Sequence, residues 1–264
     1  MDATLLISIA LGLAAGLFVN YASDVLPHMR RFSGPACLHC QTPFSWQDYL
    51  TLRACKQCGT KRSLRTWLVL ILTAASFAYF WLNPPKALGL PLSLVVLTYF
   101  AVIIVIDLEH RLILFPTSVF GAALGLVVGT LLYWQGFGLS LASAAGSSLL
   151  GGVIGFGVMF LLYQFGALVA RYRARKMQAD GQADDEEETL GGGDVYLAGV
   201  LGLMVGWRFI MFALMYGIFL GGVVSLILIL ALLLQRRYSS QSLMTFIPYG
   251  PYLIAGAFFM LFLG

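Results

Sequence analysis

Four cysteines lie in two pairs of the form Cys-x-x-Cys. The pairs are Cys37-Leu-His-Cys40 and Cys55-Lys-Gln-Cys58, and fourteen residues separate them. Two such pairs at this distance are typical of a tetrahedral zinc ribbon, because each pair presents two thiolates to one face of the ion. The spacing therefore predicts a structural zinc site with these four ligands. His39 could replace one of the cysteines or be a solvated residue of the first pair.

Two aspartates lie where acidic side chains are costly. Asp107 ends the apolar stretch 102–106, and Asp194 follows Gly191-Gly-Gly193 and begins another apolar stretch. An ionisable group at the edge of such a segment is a functional candidate. Two carboxyl groups that share a proton can act as general base and general acid, as in aspartic proteases. Alternatively, each acid stabilises a helix N-terminus or pairs with a neighbour such as Arg111.

Three neighbours of these aspartates could support the same chemistry. Gly191 and Gly193 would let the backbone approach a substrate closely and adopt dihedral angles that other residues avoid. Glu109 is either a solvated or Arg111-paired loop acid, or a group that positions Asp107. We therefore include Gly191, Gly193 and Glu109 in the candidate site.

The composition is that of a membrane protein. Of the 264 residues, 59% are hydrophobic and only 11% are charged, and the mean hydropathy is +0.86. A helix that spans a bilayer needs about 20 predominantly apolar residues, so the chain has room for about eight spans and one small extramembrane segment. This excludes a large soluble catalytic domain.

The apolar runs predict an all-α polytopic membrane protein with about eight transmembrane helices. We expect these helices near 4–22, 66–82, 90–107, 112–134, 143–169, 194–207, 209–234 and 246–263. The sixth is short, and its end is inferred from Gly206, Trp207 and Arg208. The first has no small-residue cleavage site after it, which indicates an anchor rather than a signal peptide. Glycines four residues apart, such as Gly151 and Gly155, indicate closely packed helices.

The basic residues predict the orientation of the chain. If the amino terminus lies outside, 14 of the 16 lysines and arginines fall in cytoplasmic loops, and only Lys86 and Arg208 fall outside. Those loops are 23–65, 107–111, 170–193 and 235–245. Because Lys and Arg near the spans favour the cytoplasmic side, the net charge of +4 reflects topology. We expect no nucleic-acid partner.

This topology divides the chain into three parts. Residues 1–22 are the first transmembrane helix, 23–65 are a cytoplasmic four-cysteine module, and 66–264 are a transmembrane core with a charged loop at 170–193. Since disulfides rarely persist in the reducing cytoplasm, zinc is favoured over disulfides or a redox role. The acidic run 184–188 in the charged loop is expected to be disordered or to attract a basic peptide.

Several motifs, found in order along nearly the whole chain, resemble the type IV prepilin peptidases of bacteria, which belong with the GxGD-type membrane aspartyl proteases. The matching residues are Ile106-Asp-Leu-Glu-His110, Gly191-Gly-Gly-Asp194, Leu201-Gly-Leu-Met-Val-Gly-Trp207 and Ile247-Pro-Tyr-Gly-Pro-Tyr252. The cysteine pairs, Gly16-Leu-Phe-Val-Asn20 and Leu26-Pro27 are similar to the amino-terminal region of the family. Asn20 itself either bonds across helices or contacts substrate.

The resemblance implies a multi-pass enzyme of the bacterial inner membrane. It would remove the basic leader peptide from prepilins, or from pseudopilins of type II secretion, at the cytoplasmic face. The catalytic aspartates of the family map onto Asp107 and Asp194. Many members also methylate the new amino terminus with S-adenosylmethionine. Methyl transfer stays open here, because Arg53-Ala54 replaces the usual Gly-Lys and the family's Pro and Glu after the ribbon are missing.

The expected partners are a prepilin or pseudopilin helix and the lipid bilayer, and the number of copies in an assembly is not predicted. One alternative is a non-catalytic membrane scaffold or assembly partner of a pilus or type II secretion system. Another is a transporter that uses the same acids to carry protons. Cleavage of a prepilin that depends on both aspartates would distinguish a protease from either alternative.

Overall fold

The computed structural model describes residues 3–179, 191–234 and 248–263. Within these ranges the regular elements are helices, and the only β-contact is an isolated bridge between Ala36 and Pro43. The helices are α1 (Ala3–Met29), α2 (Trp46–Leu50), α3 (Leu64–Leu82), α4 (Leu90–His110), α5 (Phe115–Phe137), α6 (Leu141–Ala179), α7 (Gly192–Val205), α8 (Ile210–Leu234) and α9 (Gly250–Phe262). The predicted all-α fold is confirmed. The acidic run 184–188 and Ile247 lie outside the described residues.

Each of the eight predicted spans coincides with a helix. Of the described helices, α1, α3, α4, α5, α6 and α8 are long and apolar enough to cross a membrane. The helices α7 and α9 are also apolar, but they have 14 and 13 residues, fewer than the about 20 that a span needs. Gly206 ends α7 with a φ of +79°, which favours glycine. The predicted break at Gly206 is therefore a real helix end.

Three helices continue past their predicted cytoplasmic ends. α1 reaches Met29 rather than 22, α4 reaches His110 rather than 107, and α6 reaches Ala179 rather than 169. The predicted ends were placed where hydropathy falls. In α4 and α6 the added residues include glutamate, arginine and lysine, which are good helix formers and do not stop a helix. In α1 they include Asp24, Val25 and Leu26, which are buried, so tertiary packing extends this helix. As a result, Asp24 and Glu109 belong to helices and not to the loops in which the sequence analysis placed them.

The described residues form two compact units, and unit 1 is Met1–Thr117. Within it α1 packs against α3 and α4. A Cβ atom added to Gly12 of α1 would lie 2.7 Å from the Cα of Ala74 in α3, so the two backbones approach as closely as the glycine spacing predicts. Apolar side chains fill the space between α1, α3 and α4. The core cluster contains Val19, Ala22, Leu26, Val69, Val102, Ile106 and Leu114.

Unit 2 is Ser118–Gly264, and α7 packs against α6, α8 and α9 within it. The contact between α6 and α7 depends on small residues. A Cβ atom added to Gly151 would lie 2.6 Å from the Cα of Gly206, and the hydroxyl of Ser148 donates a hydrogen bond of 2.7 Å to the carbonyl of Leu203. These close contacts fix α7, which carries Asp194 in its first turn.

Candidate active site and metal centre

Asp107 lies in the last turn of α4 and is 4% exposed. The preceding residue, Ile106, belongs to the apolar core of unit 1. The helix ends immediately afterwards, because Arg111 adopts a left-handed conformation with φ 53° and its N–H donates to the Asp107 carbonyl at 2.9 Å. The carboxyl group is thus held on a buried face, at the boundary between an apolar helix and polar residues.

Asp194 lies in the first turn of α7 and is 9% exposed. Its N–H donates to the carbonyl of Gly191 at 3.0 Å, and Val195 and Leu197 beside it are buried. The predicted reliance of Gly191 and Gly193 on unusual dihedral angles is wrong. Gly191 has an ordinary φ of −65°, and neither glycine has a positive φ. The close approach of these glycines to a substrate stays a prediction.

The two aspartates lie at opposite kinds of helix end. Asp107 is at the carboxyl-terminal end of α4, and Asp194 is at the amino-terminal end of α7. The helix dipole places partial negative charge near the first and partial positive charge near the second. Asp107 belongs to unit 1 and Asp194 to unit 2. The helix dipole therefore acts with opposite sign at the two carboxyl groups.

Glu109 pairs with a residue far away in sequence. Its Oε2 atom accepts a hydrogen bond of 2.5 Å from Nη1 of Arg65, in the first turn of α3. The other terminal nitrogen of Arg65, Nη2, donates to Oδ1 of Asp24 in α1. Arg65 therefore joins three helices through two ion pairs. Glu109 is thus an exposed acid paired with Arg65 rather than with Arg111, and its role in positioning Asp107 stays a prediction.

The four-cysteine module also reaches this ion-pair cluster. Tyr49 of the short helix α2 is 2% exposed, and its hydroxyl donates to Oδ2 of Asp24 at 2.7 Å. The guanidinium carbon of Arg62 lies 4.3 Å from the centre of the Tyr49 ring, a cation–π contact. Burial raises the pKa of Tyr49, and the neighbouring Asp24 raises it further. The phenol therefore keeps its proton and remains a hydrogen-bond donor.

Asn20 forms the cross-helix contact that was one of its two predicted roles. Its side-chain nitrogen donates to the carbonyl of Gly16 at 3.0 Å in α1 and to the carbonyl of Thr66 at 3.3 Å in α3. The side chain is 1% exposed. This contact lies one turn before Asp24 and adds to the attachment of α1 to α3.

The four cysteines form one cluster, as their spacing predicts. Their sulfur atoms all lie within 4.8 Å of one another. Cys37 and Cys58 are 3.7 Å apart, and Cys40 and Cys55 are 3.6 Å apart. Four sulfurs bound to one zinc ion at about 2.3 Å would be about 3.8 Å apart. The cluster could therefore hold a metal ion such as zinc, while His39 is exposed and lies outside it.

The two cysteine pairs share one backbone conformation. In each, the N–H of the first cysteine is hydrogen-bonded to a threonine carbonyl five residues later: Cys37 to Thr42 at 2.9 Å and Cys55 to Thr60 at 3.0 Å. The residue after the second cysteine has a positive φ in both pairs, 57° at Gln41 and 68° at Gly59. Repetition of this turn directs two sulfurs from each pair towards a common centre.

Local hydrogen bonds prepare some of the thiols for metal binding. Backbone hydrogen bonding from Cys58 and the hydroxyl of Thr42 lower the pKa of Cys55 to about 6. Hydrogen bonding to the Thr42 hydroxyl also lowers the pKa of Cys40, whereas burial raises the pKa of Cys37. Thiolates are the metal-binding form of cysteine. The Cys55 thiol is therefore ionised near neutral pH even without a bound metal.

Sequence reasoning missed Asp24, Tyr49 and Arg65. Both Asp24 and Arg65 fall within the predicted loop 23–65, and their types and spacing alone do not mark them as site residues. One signal was available: Asn20 and Asp24 are four residues apart, with apolar Ala22, Val25 and Leu26 around the second of them. Two polar residues at helical spacing in an apolar run indicate a buried polar face.

Comparison with known proteins identifies the family of this chain. Residues 93–226 match the type IV leader peptidase family, and this region includes both Asp107 and Asp194. The chain belongs to the type IV leader peptidase family. The predicted resemblance is therefore confirmed. With six described helices long enough to cross a membrane, this membership indicates an inner-membrane protein.

One relative gives a measure of similarity. The chain is 27% identical over 230 residues to a protein of Myxococcus xanthus (strain DK1622) named prepilin leader peptidase/N-methyltransferase. The match covers 84% of this chain and 62% of that relative. The chain thus spans less than two thirds of the relative's length. No solved structure matches this chain.

Proposed function

We propose that the protein is a membrane aspartyl endopeptidase. Its substrate is a prepilin or pseudopilin, from which it removes the basic leader peptide at the cytoplasmic face. The observation that carries this proposal is the match of residues 93–226 to the type IV leader peptidase family, a region in which two acids, Asp107 and Asp194, are buried at helix ends.

In this proposal Asp107 and Asp194 are the catalytic residues. One carboxylate accepts a proton from water as the water attacks the scissile carbonyl carbon. The other carboxylic acid donates its proton to the carbonyl oxygen. The first acid, which now holds the proton from water, then gives it to the departing amine nitrogen as the C–N bond breaks, and the other carboxylate takes its proton back from the hydroxyl group. The opposite helix ends on which the two acids lie support different roles for them. Glu109 is a positioning residue, and Gly191 and Gly193 leave room for the substrate backbone.

The metal of the cysteine module has a structural role in this proposal. Cys37, Cys40, Cys55 and Cys58 would hold one zinc ion. Four protein ligands complete a tetrahedral site and leave no position for water, so the zinc would stabilise the module. A stretch as short as 23–65 buries little apolar surface on its own, which is why a metal is needed to hold it together.

The arrangement of the chain is part of the proposal. Residues 1–22 begin the membrane-embedded part, 23–65 are the cytoplasmic module, and 66–264 are the protease core with its charged loop at 170–193. The amino terminus lies outside and the candidate site faces the cytoplasm. The distribution of lysine and arginine supports this orientation.

Methylation of the new amino terminus is a second candidate activity. The M. xanthus relative is named as an N-methyltransferase as well as a peptidase, and this chain retains the four-cysteine cluster. S-adenosylmethionine would be the methyl donor. Incubation of purified protein with a prepilin and a labelled methyl donor tests this activity separately, because label appears on the mature pilin only if methyl transfer occurs.

Co-expression with a prepilin tests the proposed peptidase. We expect a shortened pilin whose new amino terminus lies directly after the basic leader, and we expect the precursor to stay intact with Asp107→Asn or Asp194→Asn. An intact precursor with the unchanged protein would favour a scaffold or assembly partner. Ion flux without cleavage would favour a transporter.

A further inference from the structure

A continuous chain of polar contacts connects the four-cysteine module to the end of α4. It runs from Tyr49 to Asp24, from Asp24 to Arg65 and from Arg65 to Glu109. We define these four residues as the clamp. Each belongs to a different helix, in the order α2, α1, α3 and α4. The clamp lies entirely within unit 1.

Burial makes the contact between Arg65 and Asp24 stronger than an ordinary surface ion pair. The side chains of Asp24 and Arg65 are 5% and 17% exposed, and that of Glu109 is 37% exposed. Exposed pairs contribute little because water competes for both charges. Separating Asp24 from Arg65 would leave a buried charge without its partner, which is costly, so this ion pair resists separation.

The clamp ends two residues after Asp107. Glu109 lies in the same final turn of α4, whose last hydrogen bond joins the Arg111 N–H to the Asp107 carbonyl. A shift of Glu109 therefore moves the turn that carries the Asp107 carboxyl group. Ile106, which precedes Asp107 in the chain, is held in the apolar core. The core and the clamp together restrain the position of Asp107.

The other end of the clamp depends on the cysteine module. Tyr49 lies on α2, between the two cysteine pairs in the chain. The ring of Tyr49 is held by the cation–π contact with Arg62, which follows the second pair. Loss of the fold of this module would free Tyr49 and remove the hydrogen bond to Asp24. The state of the module can thus be transmitted to α4.

We infer that Arg65 is a positioning residue that couples the fold of the four-cysteine module to the placement of Asp107 through Asp24 and Glu109. The effect on catalysis rests on the proposed function, in which Asp107 acts on the peptide bond. The effect on α4 does not depend on that function. The coupling assigns the module a second role besides its own stability: it holds the end of a helix that carries a catalytic acid.

Amide hydrogen exchange of the last two turns of α4, residues 104–111, tests the structural part in the purified full chain. We expect Glu109→Gln and Arg65→Gln each to speed exchange there by about 5- to 30-fold. Tyr49→Phe and removal of metal by a chelator should act in the same direction. Arg53→Gln is the matched control, because Arg53 is 69% exposed and pairs only loosely with Asp48 at 3.5 Å.

A double variant separates the clamp from general destabilisation. Arg65→Gln and Glu109→Gln break the same bond, so the pair should speed exchange no more than the stronger single variant does. Glu109→Gln is the milder change and keeps the test valid if Arg65→Gln fails to fold. Exchange at 104–111 that is unchanged in Glu109→Gln and after metal removal would overturn the inference.

Kinetics test the link to catalysis. We expect Glu109→Gln to lower kcat by about 10- to 100-fold with little change in KM, because a misplaced catalytic group slows the chemical step more than binding. Metal removal should lower kcat less in Tyr49→Phe than in the unchanged protein. If cleavage occurs but kcat is unaffected by Glu109→Gln, the positioning role is wrong. If the unchanged protein cleaves no prepilin, the proposed function fails, and hydrogen exchange alone decides the coupling.

Discussion

The Nη1 atom of Arg65 lies 2.5 Å from the Oε2 atom of Glu109, although 44 residues separate them in the chain. This contact ties the beginning of α3 to the end of α4, two residues after Asp107. Arg65 also bonds Asp24, so a single guanidinium group compensates two acids. A planar guanidinium group is well suited to bind two carboxylates at once, because its N–H donors point in fixed directions.

Asp24→Asn should destabilise unit 1 strongly. The two carboxylate oxygens of Asp24 accept hydrogen bonds from Arg65 and Tyr49. Asparagine has no charge and only one oxygen acceptor, so the positive charge of the largely buried Arg65 is less well compensated. We expect the free energy of unfolding to fall by about 2 to 4 kcal/mol. Thermal unfolding of the purified protein in detergent measures the change.

Asp48→Asn is the matched control for this prediction. Asp48 is buried like Asp24, but its partners Lys56 and Arg53 have side chains that are 78% and 69% exposed. Water can therefore compensate the charges that the substitution leaves unpaired. We expect a clearly smaller loss of stability. Equal losses from the two substitutions would contradict the importance that we give to the buried Asp24.

The purified protein should contain about one zinc ion per chain. Cys55→Ser should remove most of the metal, because it deletes one of four ligands in the cluster. His39→Ala is the control and should leave the metal content unchanged, since His39 is exposed and outside the cluster. Elemental analysis of the purified variants measures this. Metal retained by Cys55→Ser, or lost from His39→Ala, would show that the ligand set is wrong.

Zinc binding to the metal-free protein should release more protons as the pH is lowered. At about pH 8 the Cys55 thiol, with a pKa of about 6, is already ionised and gives up no proton on binding. Burial raises the pKa of Cys37, so that thiol releases a proton even then. As the pH falls to about 6, Cys55 becomes protonated and must also lose its proton, and the affinity falls.

Calorimetry in two buffers of different ionisation enthalpy measures this proton release. The expected result is a larger release at about pH 6 than at about pH 8, with weaker binding. Equal release at the two pH values would mean that the thiol pKa values are not those inferred from the hydrogen bonds of Cys55 and the burial of Cys37.

Gly151→Ala should destabilise the contact between α6 and α7. The added methyl group would lie 2.6 Å from the Cα of Gly206, which is too close for any rotamer change to relieve. We expect a loss of about 1 to 3 kcal/mol. Gly157→Ala, in the same helix, meets no atom within 4 Å, and alanine there should be neutral or slightly stabilising. Thermal unfolding compares the two, and similar effects would contradict the packing argument.

The parts of the protein that depend on local sequence were predictable. The cysteine cluster follows from spacing alone, since each Cys-x-x-Cys turn is built from adjacent residues. The helices follow from apolar runs whose lengths match a bilayer. Asp107 and Asp194 could be chosen as candidates because they are carboxyl groups at the edges of such runs.

The remaining parts depend on tertiary contacts and on helix ends. Hydropathy placed the end of α1 near 22, but the helix continues to Met29 and carries Asp24 onto a buried face. Among the described residues, Glu109 forms its hydrogen-bonded ion pair with Arg65, and not with Arg111, which is only two positions away in the chain. Nothing in a single sequence specifies a pairing across 44 positions. The ordinary φ of Gly191 likewise cannot be read from the sequence, because it depends on the folded backbone.

Cleavage kinetics of the purified protein with a prepilin test the central claim most directly. We expect a product that begins directly after the basic leader. Asp107→Asn and Asp194→Asn, which change each acid by one atom, should each lower kcat by about 10²- to 10⁴-fold or more. Asp2→Asn, the same chemical change near the amino terminus, should have no effect. Cleavage at the unchanged rate by either Asp107→Asn or Asp194→Asn would contradict the account.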